Sequence, residues 1–236
     1  RPEVRGLGSE TLARYARAFG LGAPTGIDLL GEAEGLVPSA DWLKETWGET
    51  WTTGQTYIMG IGQSYTRVTP LQMANVAAAM ANGGTLWRPR VVDRVTDADG
   101  NAIPGQPEGA RVAVIRHVPV APRHLAAVRE GMRGAVTYGT AQSSWTHLPE
   151  QAHVAGKTGT AEFCEGYRVT DSGTPEDSRD DIWDCRRTKE GHLLTHAWFI
   201  AFAPFEQPEI AVAVLVDGSG LSKVIQGSEV AAPIAA

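Results

Sequence analysis

The sequence predicts a layered α/β (α+β) domain, with a mainly helical region over residues 1–150 and an antiparallel sheet flanked by helices over 151–236. Three observations carry that reading. Helical periodicity with matching end signals recurs through the first region. Two continuous apolar runs, LLTHAWFIAFAP and EIAVAVLVDG, are joined by the short polar stretch PFEQPE, as in neighbouring antiparallel strands covered on both faces. AHVAGKTGTAEF supplies a third strand of the same sheet.

In SETLARYARAFGLG, Leu12, Tyr15, Ala16 and Phe19 fall at i, i+3, i+4, i+7, with Ser9 placed to cap the start and Gly20 the end. APTGIDLLGEAEGLVPS has no period and is rich in Gly and Pro, so it reads as a loop into a short helix at ADWLKETW capped by Ser39. Thr69 and Gln72 then form a T-x-x-Q capping box around Pro70, and Asn82-Gly83-Gly84 closes the helix. RPRVVDRVTDADGNAIPG predicts a strand and a surface hairpin turning at Asp99-Gly100. A further helix spans Pro122 to Val136, with Leu125, Val128, Met132 and Val136 on one face.

The 236 residues, 42% hydrophobic and 20% charged, suffice for one large domain or two small ones. A net charge of −6, with four lysines and scattered arginines, argues against a nucleic-acid surface or an anionic membrane patch. No run approaches the roughly 20 apolar residues that span a bilayer. RPEVRGLGSE has neither an initiator Met nor a signal-peptide core, and EVAAPIAA reads as the first turns of an unfinished helix, so the chain is expected to be cut from something longer. No cofactor is expected.

The chemistry-bearing stretch is AGKTGTAEF, where Lys157-Thr158-Gly159 sits in a strand that continues with Thr160. GQSYT, from Gly62 to Thr66, nearly spells the G-x-S-x-G nucleophile elbow, but its fifth residue is Thr and no apolar strand precedes it. It reads better as a loop into the Thr69 helix. Spacing alone leaves open a Ser-His-Asp set drawn from His153, His192 or His196, and nothing supports one.

KTGTAEF, HAWFIAFAP, GLGAPTGIDLLGE, IGQSYTRVTPLQMANVAAAMANGG and GMRGAVTYGTA together resemble the transpeptidase domain of class B penicillin-binding proteins, closest to the penicillin-binding protein 2, elongation-type branch. The resemblance runs from about residue 6 to 234 in the family's order. It implies the penicillin-binding, serine β-lactamase-like fold and three motifs: Ser-x-x-Lys, Ser-x-Asn and Lys-Thr-Gly. Only the third is present. Three places before Lys44, Lys157, Lys189 and Lys223 stand Asp41, Val154, Arg186 and Gly220; two places before Asn75, Asn82 and Asn101 stand Met73, Met80 and Asp99. The resemblance therefore places the acylated serine on a segment before Arg1.

By that resemblance Lys157 sets a cation beside the nucleophile and the anionic end of a peptide. Thr158 and Thr160 offer hydroxyls to a carboxylate, and the Thr160 N–H joins the oxyanion hole. Gly159 leaves the strand edge clear for an added peptide strand. The implied activity is D,D-transpeptidation of peptidoglycan stem peptides through an acyl-serine, inhibited by β-lactams, with this chain inactive alone. The full protein is expected outside the cytoplasm, anchored by an N-terminal membrane helix and working with a SEDS-family glycosyltransferase. A β-lactamase or β-lactam sensor is disfavoured by GLGAPTGIDLLGE and VTPLQMA; a non-catalytic peptide-binding module is the alternative of another class.

The segment 164–191 departs from the family pattern as a polar, acidic insertion bracketed by Cys164 and Cys185. Three states stay open for that pair: a disulfide closing a flap at the mouth of the site, two free thiols, or a metal site with Asp184, His192 or His196. Against the metal, His192 and His196 would lie about 13 Å apart on a strand, too far to share an ion.

Overall fold

The computed structural model describes residues 6–105, 113–146, 153–170 and 182–236. Three helices of the first region start where side-chain caps satisfy free backbone N–H groups. In α2 (Ala40–Trp47) the Ser39 hydroxyl accepts from the Trp42 N–H at 3.1 Å, so Ser39 is a cap. In α4 (Pro70–Ala81) the Thr69 and Gln72 side chains bond each other's backbone N–H at 3.1 and 3.0 Å, with Pro70 opening the helix and Asn82 at its C-cap. Buried Gln72 also donates to the carbonyls of Ala23 and Glu34, pinning the loop that reads as irregular in the sequence.

That loop is ordered by carboxylates. Glu32 accepts from the Thr25 and Gly26 N–H groups and the Thr25 hydroxyl, and Asp28 accepts from the N–H groups of Val91 and Val92. Partial burial opposes ionisation of Glu32, but the Thr25 hydroxyl and the amides outweigh it and hold its pKa below the ordinary value.

Four expectations need correction. Helix α1 (Gly8–Ala18) begins one residue before Ser9, because Gly8 at φ +73° makes the turn that starts it; Ser9 lies inside and caps nothing. A helix not foreseen, α3 (Thr53–Gly60), is opened by a Thr52–Gln55 capping box; its Tyr57 and Ile58 stay exposed, so no apolar stripe announced it. The hairpin expected around Asp99-Gly100 is a turn held by the single bridge Thr96↔Ala102. The paired strands flank it at β1 (Thr85–Trp87) and β2 (Val114–His117). In α5 (Pro122–Thr137), Leu125, Met132 and Val136 are buried but Val128 is 45% exposed. The buried stripe runs through Arg129 instead, whose guanidinium lies over Phe202 and Phe205 and donates to the carbonyls of Ala81 and Phe205.

The short α6 (Gln142–Trp145) leads to the sheet, whose order is β3 (Ala155–Phe163), β6 (Leu194–Ala203), β7 (Ile210–Val216), all antiparallel. Between β3 and β6 lies a two-stranded ribbon, β4 (Gly166–Thr170) and β5 (Ile182–Cys185). Central β6 is covered on both faces. Ala197, Phe199 and Ala201 pack against Val136, Ile225, Ala231 and Ala232, while Phe202 packs against Ala81, Met132 and Ala155 on the other side. Coverage of β7 is only partial, with Ile210 exposed, and among the described residues nothing pairs with its outer edge. The expected C-terminal helix is a π-helical turn, Gly227–Ala231, continuing into α7 (Ala232–Ala235).

Candidate active site

Strand β3 pairs with β6 at nine consecutive positions, from Ala155↔Phe202 to Phe163↔Leu194. Its other edge carries no strand among the described residues. Backbone groups along an edge strand alternate between the partner and the open side. The Glu162 N–H donates outward to Gln63 Oε1 at 3.0 Å, and the Thr158 carbonyl accepts from Lys157 Nζ at 2.7 Å. By that alternation the N–H and C=O of Thr160, between them, also face the open side. The sequence-predicted residues thus stand on one edge, Lys157 and Thr160 exposed and Thr158 half-buried; the backbone groups of Thr158 and Thr160 face the open side, while those of Lys157, by the same alternation, face β6.

Residues that the sequence did not single out complete this edge. Thr140, between α5 and α6, holds its hydroxyl 2.9 Å from that of Thr158. If Thr140 donates in that pair, the Thr158 proton is left for an incoming anion. Gly227 lies against the strand's backbone on the face that also carries Thr158, since its turn packs with Phe199, the cross-strand partner of Thr158; a Cβ there would strike the carbonyls of Trp198 and Gly159. A Cβ on Gly159 would lie 3.1 Å from Trp198 Cβ, so crowding inside the sheet, as well as clearance for a peptide, favours glycine there. The signals were present as letters only. Thr140 belongs to GMRGAVTYGTA and Gln63 to GQSYT, but no spacing rule links either to β3.

At the end of β3, Cys164 and Cys185 are joined by a disulfide. It closes the base of the ribbon, where the Arg186 N–H also donates to the Glu165 carbonyl at 3.0 Å. Residues 171–181, at the centre of the insertion, lie outside the described residues. The histidines are dispersed. His196 stacks on Phe163 with ring centres 3.9 Å apart and its Nδ1 lies 3.1 Å from Asp217, whereas His153 pairs with Glu206 at 2.8 Å. Among the described residues no three His, Cys, Asp or Glu side chains gather as a metal site. Ser64 follows helix α3, not a strand, so the elbow reading of GQSYT has no structural support.

Residues 4–236 match the family described as the penicillin binding protein transpeptidase domain. The chain belongs to that family. Among relatives of this transpeptidase domain, the peptidoglycan D,D-transpeptidase MrdA of Haemophilus influenzae is 27% identical over 97% of the chain, which covers 32% of that protein. PbpA of Mycobacterium tuberculosis, also a peptidoglycan D,D-transpeptidase, is 30% identical over 96% of the chain and 38% of its own length. The chain thus spans about a third of the length of its curated relatives. The fold matches Pseudomonas aeruginosa PBP2 in complex with WCK 5153 at a TM-score of 0.70, with 32% identity, covering 97% of this chain and 42% of that one. It also matches a ceftriaxone acyl-enzyme complex of M. tuberculosis penicillin-binding protein A at a TM-score of 0.69, with 31% identity, 96% of this chain and 41% of that one. Helicobacter pylori PBP2 in complex with MreC gives 0.64 and 27% identity, over 97% and 35% of the respective chains.

Proposed function

We propose that these 236 residues are the C-terminal part of one transpeptidase domain of an elongation-type peptidoglycan D,D-transpeptidase, and that they supply the strand wall of its active site. The observation that carries this is the open β3 edge, where Lys157, Thr158 and Thr160 stand together and the backbone groups of Thr158 and Thr160 face outward. No Ser-x-x-Lys or Ser-x-Asn occurs in the chain, so the acylated serine belongs to a part of the protein outside it.

The reaction follows from those groups. A stem peptide ending in D-Ala-D-Ala lays its carboxylate against the hydroxyls of Thr158 and Thr160, with the Lys157 ammonium adding long-range attraction. The penultimate carbonyl then points at the Thr160 N–H, which stabilises the oxyanion as the serine oxygen adds. The C–N bond breaks, the terminal D-Ala leaves with a proton on its amine, and an ester to the serine remains. An amine of a second stem peptide attacks that ester, forming the cross-link and returning the proton to the serine. A β-lactam enters the same way: its carboxylate takes the threonine hydroxyls and its ring amide opens to an ester. Extracytoplasmic placement, an N-terminal anchor and a SEDS-family glycosyltransferase partner go with this reading, and the complex of the H. pylori relative with MreC supports a protein partner for the full-length enzyme.

Intact-mass spectrometry after incubation with penicillin tests it. The full-length protein gains one penicillin mass, and the 236-residue chain of 25.2 kDa gains none. An adduct on the short chain would put the nucleophile inside it and overturn the assignment.

A further inference from the structure

The Glu162 N–H is the next outward-facing amide after Thr160 on the open edge, and the Gln63 side chain already fills it at 3.0 Å. The loop that delivers Gln63 is held from several directions. It runs between capped helices α3 and α4, and the Gln63 N–H donates back to the Ile58 carbonyl at 3.1 Å. Just beyond, Leu36 and Arg67 exchange a pair of backbone bonds of 2.8 and 2.9 Å. Ser64 adopts φ +68° directly after Gln63, a conformation that costs a non-glycine residue about 1 kcal/mol or more and persists only where its surroundings enforce it.

We propose that Gln63 is a specificity-determining residue that ends the peptide-pairing edge of β3 immediately after Thr160. This rests on the transpeptidase reading above. With the carboxylate at Thr158 and Thr160 and the scissile carbonyl at the Thr160 N–H, the acyl side of the peptide continues toward Glu162. An antiparallel added strand makes its next pair of backbone bonds two residues along. That partner would be Glu162 on β3 and, on the peptide, the residue two places before the penultimate D-Ala. Gln63 occupies that position, so the peptide pairs at Thr160 and then leaves the edge. The enzyme reads the end of the stem peptide closely and is indifferent to backbone further in.

The test uses the full-length protein, the variants Gln63→Ala and Gln63→Glu, and competition against a fluorescent penicillin. The competitors are N-acetyl-D-Ala-D-Ala, too short to reach Glu162, and a pentapeptide ending in D-Ala-D-Ala. Gln63→Ala exposes the amide, and the pentapeptide then competes about fivefold better, the size of one added hydrogen bond. The dipeptide and the rate of penicillin labelling stay within about twofold. Gln63→Glu, which keeps an acceptor of the same length, behaves like wild type. An unchanged pentapeptide overturns the proposal; so does a Gln63→Ala variant in which labelling and both peptides weaken together, since Gln63 would then only support the strand. Absence of labelling in the wild-type protein would count against the transpeptidase reading instead.

Discussion

Strands β3 and β6 are partners at nine positions, yet they do different work. Apolar or small side chains line most of β6, with Phe199 and Phe202 at 0% and 1% exposure, so that strand ties the two helical layers together. Strand β3 borrows that rigidity along one edge and keeps the other for polar groups that would serve a packed sheet poorly. On the transpeptidase reading, chemistry is placed one strand away from the core, near enough to be held and far enough to stay wet.

Mutations can sharpen or break this division. Phe199→Ala should cost about 3–5 kcal/mol in urea unfolding of the full-length protein, because a large cavity opens at the centre of the sheet; a loss under 1 kcal/mol would deny β6 its structural role. Replacing Cys164 and Cys185 by alanine should cost up to about 3 kcal/mol by the loop-entropy argument, read in the same assay, and should act on the ribbon at the end of β3. Lys157→Ala should slow penicillin acylation about a hundredfold while leaving the unfolding midpoint almost unchanged, since the side chain is exposed. If stability and acylation fell together there, strand and site would not be separable. Thr69→Ala, outside both strands, should cost about 1 kcal/mol of stability through the lost cap and leave acylation alone.

The smallest effect concerns pH. The Asp217 carboxyl, just past β7, is held below its ordinary value of 3.8, first by the Ser219 N–H, then by the Ser219 hydroxyl and by His196. A depressed carboxyl pKa adds stability that is present above the unfolded-state value and lost as pH falls through the folded-state value. Acid titration of the unfolding midpoint should therefore show Ser219→Ala converging on wild type only below about pH 4; a difference confined to neutral pH would contradict that origin.

What could be read in advance follows the range of each force. Caps at Ser39 and Thr69 act over three residues, and the strands β6 and β7 announce themselves by apolar continuity, so both were legible. Lys157, Thr158 and Thr160 were legible as a motif on a strand. Helix α3 was not, because it carries little apolar stripe, and Arg129 could not be placed on a buried face by a rule that counts only apolar letters. Gln63 and Thr140 reach β3 across 99 and 18 residues of chain, and contacts of that separation leave no periodic trace.

Gly227 has a consequence for how the site can change. Its α-carbon rests against the backbone of Gly159 and Trp198, where even a methyl group has no room. A variant such as Gly227→Ala must therefore lift the strand or shift the turn, moving Thr158 and Thr160 without altering any atom that meets a ligand. On the transpeptidase reading, loss of β-lactam susceptibility then begins behind the edge, at a residue packed against the Gly159 backbone.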